Sequence, residues 1–160
     1  MIGLGLGTAG AIILLDQLAK AAVLVHFAGR AYDIDRITPF FSLVLTYNRG
    51  MSFGLFNAGP AGGSAPNALL FSLAAVIVVA GLLFWLKRVS SRLLAIAIGL
   101  IVGGALGNVV DRIRHGAVVD FLDFHLGYWH WPAFNLADSA ICLGVALLLL
   151  DSLLLRREVH

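Results

Sequence analysis

Two stretches of this chain, Ala68 to Leu86 and Leu93 to Val110, contain no charged side chain at all. About 20 consecutive apolar residues in helical form cross the roughly 30 Å hydrocarbon core of a bilayer. Two more stretches come close: Ile2 to Phe27, interrupted by Asp16 and Lys20, and Phe134 to Leu155, with Asp138 near its start and Asp151 near its end. Composition agrees. Of the 160 residues, 60% are hydrophobic and only 12% are charged, and the mean hydropathy is +0.94. A soluble domain carries about 25% charged residues. An ordinary soluble domain, a disordered chain and a nucleic-acid binder driven by a basic patch are therefore excluded, and an integral membrane protein remains. The net charge of +2 adds no bulk field toward an acidic partner. Cys142, the single cysteine, permits no internal disulfide and no paired-cysteine metal site, and reads as a small hydrophobe in an apolar run.

The expected organisation is one membrane-embedded domain over residues 1–160, with spans at about 2–27, 68–86, 93–112 and 134–155 and outer segments at about 28–67 and 113–133. No Lys or Arg precedes Lys20, so the first span reads as retained rather than as a cleaved signal peptide. Lys87, Arg88 and Arg92 in a short loop and Arg156 and Arg157 near the end favour cytoplasmic placement of both termini. Arg30, Arg36, Arg49, Arg112 and Arg114 on the other side make the raw tally a tie, against which Asp33, Asp35, Asp120 and Asp123 also count as outer. Trp85 at one end and Tyr128, Trp129 and Trp131 at the other suit interfacial belts. Phe40 to Tyr47, before the Asn48-Arg49-Gly50 turn, predicts a short strand, and Ala58 to Asn67 a loop. Gly99, Gly103 and Gly107 form a face suited to close helix packing.

The informative residues are polar ones placed where lipid belongs, because ionisable groups in a span are costly and face the bundle interior. Asp16 and Lys20 lie one helical turn apart and can pair, as a structural clip or in support of a site. Asn108, Asp111 and Arg112 share a helix face beside the glycine stripe. Asn135 and Asp138 open the fourth span, where they could cap a helix or serve a site. Asp120, in the apolar stretch Ala117 to Leu122, is either a solvated loop residue or part of the same site.

Asp120 and Asp138 flank one outer segment. Two carboxylates held together cannot both ionise easily, and such a pair can activate water and protonate a leaving amine. Such chemistry calls for neither metal nor cofactor. The five histidines show no helix-spaced metal pair, and no Gly-X-Ser-X-Gly element is present, so zinc and serine hydrolysis are poorly supported. His26, His115, His125, His130 and His160 read as interfacial or loop residues.

Gly-Asn-Val-Val-Asp-Arg (107–112), Val-Val-Asp-Phe (118–121) and Phe-Asn-Leu-Ala-Asp-Ser (134–139) resemble blocks of the bacterial lipoprotein signal peptidases, the signal peptidase II family. Asp16 with Lys20, Tyr-Asn-Arg-Gly (47–50) and Ser-Phe-Gly-Leu-Phe (52–56) match further blocks in order, across essentially the whole chain. The resemblance implies an all-α integral membrane protein, with four transmembrane helices, a small extracytoplasmic β-cradle around Phe40 to Asn48 and a short periplasmic helix within His115 to Trp131. It implies an aspartic endopeptidase of the bacterial inner membrane that cleaves diacylglyceryl-modified prolipoproteins just before the lipidated cysteine, with its active site near the periplasmic face. By motif position, Asp120 and Asp138 would be the catalytic pair. Asn48, Asn108, Arg112, Asn135 and Ala137 would line the site, with Gly104 against it and Asp111, Asp16 and Lys20 in support. Expected partners are prolipoprotein substrates and membrane lipids, without nucleic acid, for a monomer with no metal or cofactor. The rival readings are a four-span transporter or proton relay, whose polar groups would spread across the bilayer depth, and a non-catalytic scaffold.

Overall fold

The computed structural model describes residues 1–30, 33–49 and 65–157. The Ser52 to Phe56 block, Gly50 and most of the Ala58 to Asn67 loop lie outside the described residues. Four long helices, α1 (Ile2–Phe27), α2 (Ala65–Leu86), α3 (Arg92–His115) and α4 (Leu136–Arg157), follow the four apolar stretches. All four are long and apolar enough to cross a membrane. The strands β1 (Ile34–Thr38), β2 (Phe41–Asn48), β3 (Val118–Leu126) and β4 (Trp129–His130) form one antiparallel sheet in chain order.

The central helix is α3. Its apolar window is 67% buried inside the protein, against 22%, 11% and 22% for α1, α2 and α4. Glycine makes this possible. A Cβ on Gly99 would meet the Gly5 carbonyl oxygen at 2.5 Å, and one on Gly103 would meet the Ala9 carbonyl oxygen at 2.7 Å. The stripe therefore lets α1 lie backbone to backbone on α3, while Gly144 does the same for α4 against Ala97 and Ile101. Leu14, Leu15, Leu18, Ile77 and Leu149 remain exposed on the outer helices, as lipid-facing side chains would. Ser91 caps α3, accepting from the Leu94 N–H at 3.2 Å and donating to Asp151 Oδ1 at 3.0 Å, which accounts for the buried carboxylate near the end of α4. Gly116, at φ 68°, ends α3 in the left-handed conformation.

Helix dominates, but "all-α" is too narrow, because the sheet has four strands. The short helix expected within His115 to Trp131 is not found. Among the described residues no helix lies between His115 and Leu136, and β3 and β4 occupy the segment instead. The reason is local and tertiary together. Val118, Val119 and Phe121 suit a pleated surface. Phe121 packs with Val23 and Phe27 at the end of α1. Phe134 stitches the chain to β3: its carbonyl accepts from Phe121 N at 3.1 Å and Leu122 N at 2.9 Å, and its own N–H donates to Leu122 at 3.1 Å. The strand expected from Phe40 is present as β2, paired with β3 so that Thr46 faces Asp120 and Asn48 faces Val118.

Candidate active site

A buried ionic knot ties three helices to the sheet. Lys20 on α1 lies 2.8 Å from Asp16 Oδ2 and 2.7 Å from Asp111 Oδ2 on α3. Asp16 is fully buried, and its other oxygen accepts from the Ala137 N–H at 3.0 Å, at the start of α4. Asp111 Oδ2 accepts from Val119 N at 3.0 Å, anchoring β3. Both carboxylates thus satisfy an orphan backbone donor and share one ammonium, the condition under which buried charge is tolerable. Asp16 and Lys20 are therefore a clip and a support at once. Gly107 leaves room for the knot, since a Cβ there would lie 2.7 Å from Asp16 Oδ2. Gly104 packs on the carbonyl of Ala137 with no space for a side chain, and Ala137 itself is buried.

The amides above this knot have dictated orientations. Lysine only donates, so Asn108 turns Oδ1 to Lys20 Nζ at 3.1 Å and its NH2 to Asp138 Oδ1 at 3.0 Å. Asn135 caps α4: its Oδ1 accepts from the Asp138 N–H at 2.9 Å. Its NH2 therefore faces the other way, toward Asp120 Oδ1 at 2.7 Å and Asn108 Oδ1 at 3.2 Å. Asn48, diagonal to Asp120 across the β2–β3 ladder, donates to Asp120 Oδ2 at 3.0 Å. Asn135 thus caps the helix with its oxygen and holds Asp120 with its nitrogen. Asp120 is not a solvated loop residue: it is 1% exposed, on β3, beside a nearly buried Asp138.

Burial, and then the charge of Asp138, push the Asp120 carboxyl up from 3.8 to about 7, against the opposing bonds from Asn48 and Asn135 and the field of Lys20. Arg112 closes the group. Its guanidinium lies 5.8 Å from the Phe71 ring centre, reaches the Asn108 carbonyl at 3.5 Å, and feels Asp138, Asp120 and Asp111. From Asn108 and Arg112 a cavity of about 280 Å³ runs between α2, α3 and α4, walled by Phe71, Val78, Ile101, Ala105 and Ile141. All eleven residues singled out from sequence surround one polar centre at the sheet end of the bundle. One member was missed: Gln17, which donates to Asp111 Oδ1 at 2.9 Å and accepts from Arg114 at 3.1 Å. An amide beside Asp16 inside a span was the available signal.

The sequence profile of the family described as Signal peptidase (SPase) II matches residues 8–154. A lipoprotein signal peptidase of Burkholderia thailandensis is 50% identical over 149 residues, spanning 92% of this chain and 86% of that protein. The corresponding protein of Burkholderia cenocepacia is 48% identical over the same shares. A solved structure titled as a bacterial membrane enzyme, determined by the in meso method at 2.3 Å, superposes with a TM-score of 0.77 at 27% identity, covering 96% of this chain and 89% of that one. A second such structure, at 1.9 Å, gives 0.76 at 26% identity, covering 96% and 94%. With its profile match over most of its length and relatives at half identity, the chain belongs to the signal peptidase II family.

Proposed function

We propose that this protein removes signal peptides from diacylglyceryl-modified prolipoproteins as a membrane-embedded aspartic endopeptidase, cutting just before the lipidated cysteine. Membership of the signal peptidase II family supports the substrate class. The observation that carries the mechanism is the pair of buried carboxylates, Asp120 and Asp138, linked through Asn135 and Asn108.

Burial and the neighbouring charge raise Asp120 to about 7, so in this mechanism it is the dyad member that carries the proton up to neutrality. Asp138 carries that charge, at the positive end of α4 and in the field of Arg112. The Asp138 carboxylate takes a proton from water as the oxygen adds to the scissile carbonyl carbon. Asp120 gives its proton to the carbonyl oxygen, forming a gem-diol. On collapse the proton on Asp138 passes to the departing cysteine amine, and Asp120 recovers a proton from the diol. Asn48, Asn108 and Asn135 fix the carboxylates. Arg112 presents a cation at the mouth of the apolar cavity, suiting a lipid ester or peptide carbonyl whose apolar chain lies against Phe71 and Ile141.

In this reading the protein sits in the bacterial inner membrane with both termini cytoplasmic. The sheet and dyad then lie near the periplasmic face, where an acylated precursor presents its scissile bond. Residues 1–160 act as one domain. The protein acts as a monomer in this reading. The test is cleavage of a diacylglyceryl-modified prolipoprotein by purified protein in detergent, with Asp120→Asn and Asp138→Asn beside the wild type. Loss of cleavage in both folded variants, with wild-type cleavage resistant to chelator, is expected. Activity surviving in either variant removes that carboxylate from the mechanism. An inactive, folded wild type revives the transporter and scaffold readings.

A further inference from the structure

We propose that Asp123, His125 and His130 form a binding site for a divalent transition-metal ion such as Zn²⁺, at the β3–β4 hairpin and separate from the dyad. Asp123 and His125 are two residues apart on β3, so they share a face, while alternation places Asp120 on the opposite one. His130 stands directly across from His125 in the β3–β4 ladder. The hairpin between them turns at Gly127, whose φ of 61° favours glycine.

One ligand atom from each of the three residues lies within 4.8 Å of the others. His130 Nδ1 is 2.9 Å from Asp123 Oδ2, and His125 Nδ1 is 3.7 Å from the same oxygen. A tetrahedral ion with bonds of 2.0–2.2 Å needs ligand atoms about 3.3–3.6 Å apart, so side-chain rotation would have to close the group on it. His130 is more than half exposed and free to turn.

The chemistry of the donors also fits. His125 Nδ1 is buried and has no hydrogen-bond partner. A buried ring nitrogen without a partner is costly, and a metal ion would supply one. The Asp123–His130 contact alone would be an ordinary ion pair, but it leaves this nitrogen unexplained. The two rings stack at 4.9 Å with 16° between planes, so the exposed His130 ring must turn out of the stack for both in-plane lone pairs to meet one ion. Imidazole and carboxylate together suit Zn²⁺ and its neighbours. A cavity of about 550 Å³, also bordered by Ser42 and Tyr128, adjoins the group and gives water access to a fourth position. The metal would brace the hairpin rather than take part in cleavage.

The probe is Co²⁺, added to the untagged, purified full chain in detergent and followed by visible absorption, with Zn²⁺ competition. One equivalent of Co²⁺, giving the spectrum of a four-coordinate nitrogen and oxygen site and displaced by Zn²⁺, is expected. His125→Phe keeps an aromatic ring in the stack, and His130→Gln alters only an exposed side chain. Each should weaken binding tenfold or more while retaining prolipoprotein cleavage, which shows that the variant is folded. Absence of saturable binding, or affinity unchanged in His125→Phe, would overturn the proposal.

Discussion

Removal of the Asn48 side chain is expected to move the alkaline limit of activity upward. In the proposed mechanism the dyad works with one proton, carried by Asp120, whose carboxyl is raised to about 7 by burial and by the charge of Asp138. The rate should therefore fall above that pH as the second carboxyl ionises. Asn48 donates to Asp120 Oδ2 at 3.0 Å and so favours the carboxylate over the acid. A hydrogen bond to an ionised group contributes about 1.5–3 kcal/mol and one to a neutral group about 0.5–1.5 kcal/mol. The difference, about 1 kcal/mol, corresponds to roughly 0.7 of a pH unit at 1.36 kcal/mol per unit. Asn48→Ala should thus shift the alkaline limb of kcat/KM from near 7 to between about 7.5 and 8. The assay is initial-rate cleavage of a diacylglyceryl lipopeptide across pH 5 to pH 9 in detergent, and only the position of the limb is read. Lower activity with an unmoved limb would mean that Asn48 does not act on the titrating acid. A limb displaced downward would refute the assignment of Asp120 as that acid.

Other perturbations test the frame. Lys20→Met leaves Asp16 and Asp111 as buried carboxylates without their shared cation; a loss of about 3–5 kcal/mol is expected in unfolding titrations in mixed micelles. Gly103→Ala would press a methyl group onto the Ala9 carbonyl and Ile12, so it should lower the thermal midpoint, whereas Gly10→Ala meets open space and should leave it unchanged. Stability should also depend on pH through Asp120. Its raised folded-state value means that the folded chain binds the proton more tightly, so stability is greatest at acid pH and falls from about 4 to about 7. Asp120→Asn should flatten that slope in thermal unfolding measured across the range.

Much of this molecule is legible from its sequence because lipid makes the rules strict. A backbone in hydrocarbon must satisfy its own hydrogen bonds, so uncharged runs become helices, and all four lie where the apolar stretches predict. The cost of polar and ionisable groups in a span singles out Asp16, Lys20, Asn108, Asp111 and Arg112 as interior residues. Periodicity puts Gly99, Gly103 and Gly107 on one packing face. These inferences use near neighbours along one helix, where spacing translates directly into geometry.

Tertiary structure decided what depends on partners far apart in the chain. Val118 to Leu126 is a strand because β2 and Phe134 pair with its backbone and α1 receives Phe121, where the family resemblance had implied a short helix. Whether Asn135 caps a helix or meets Asp120 had no answer in its spacing from Asp138, because one amide does both, with its oxygen on α4 and its nitrogen on Asp120. Asp123, His125 and His130 escaped a search for helix-spaced ligands because a hairpin register, not a helical turn, unites them. Local sequence sets which residues are costly to bury in lipid. The non-local pairing of backbone donors and acceptors sets which of them meet.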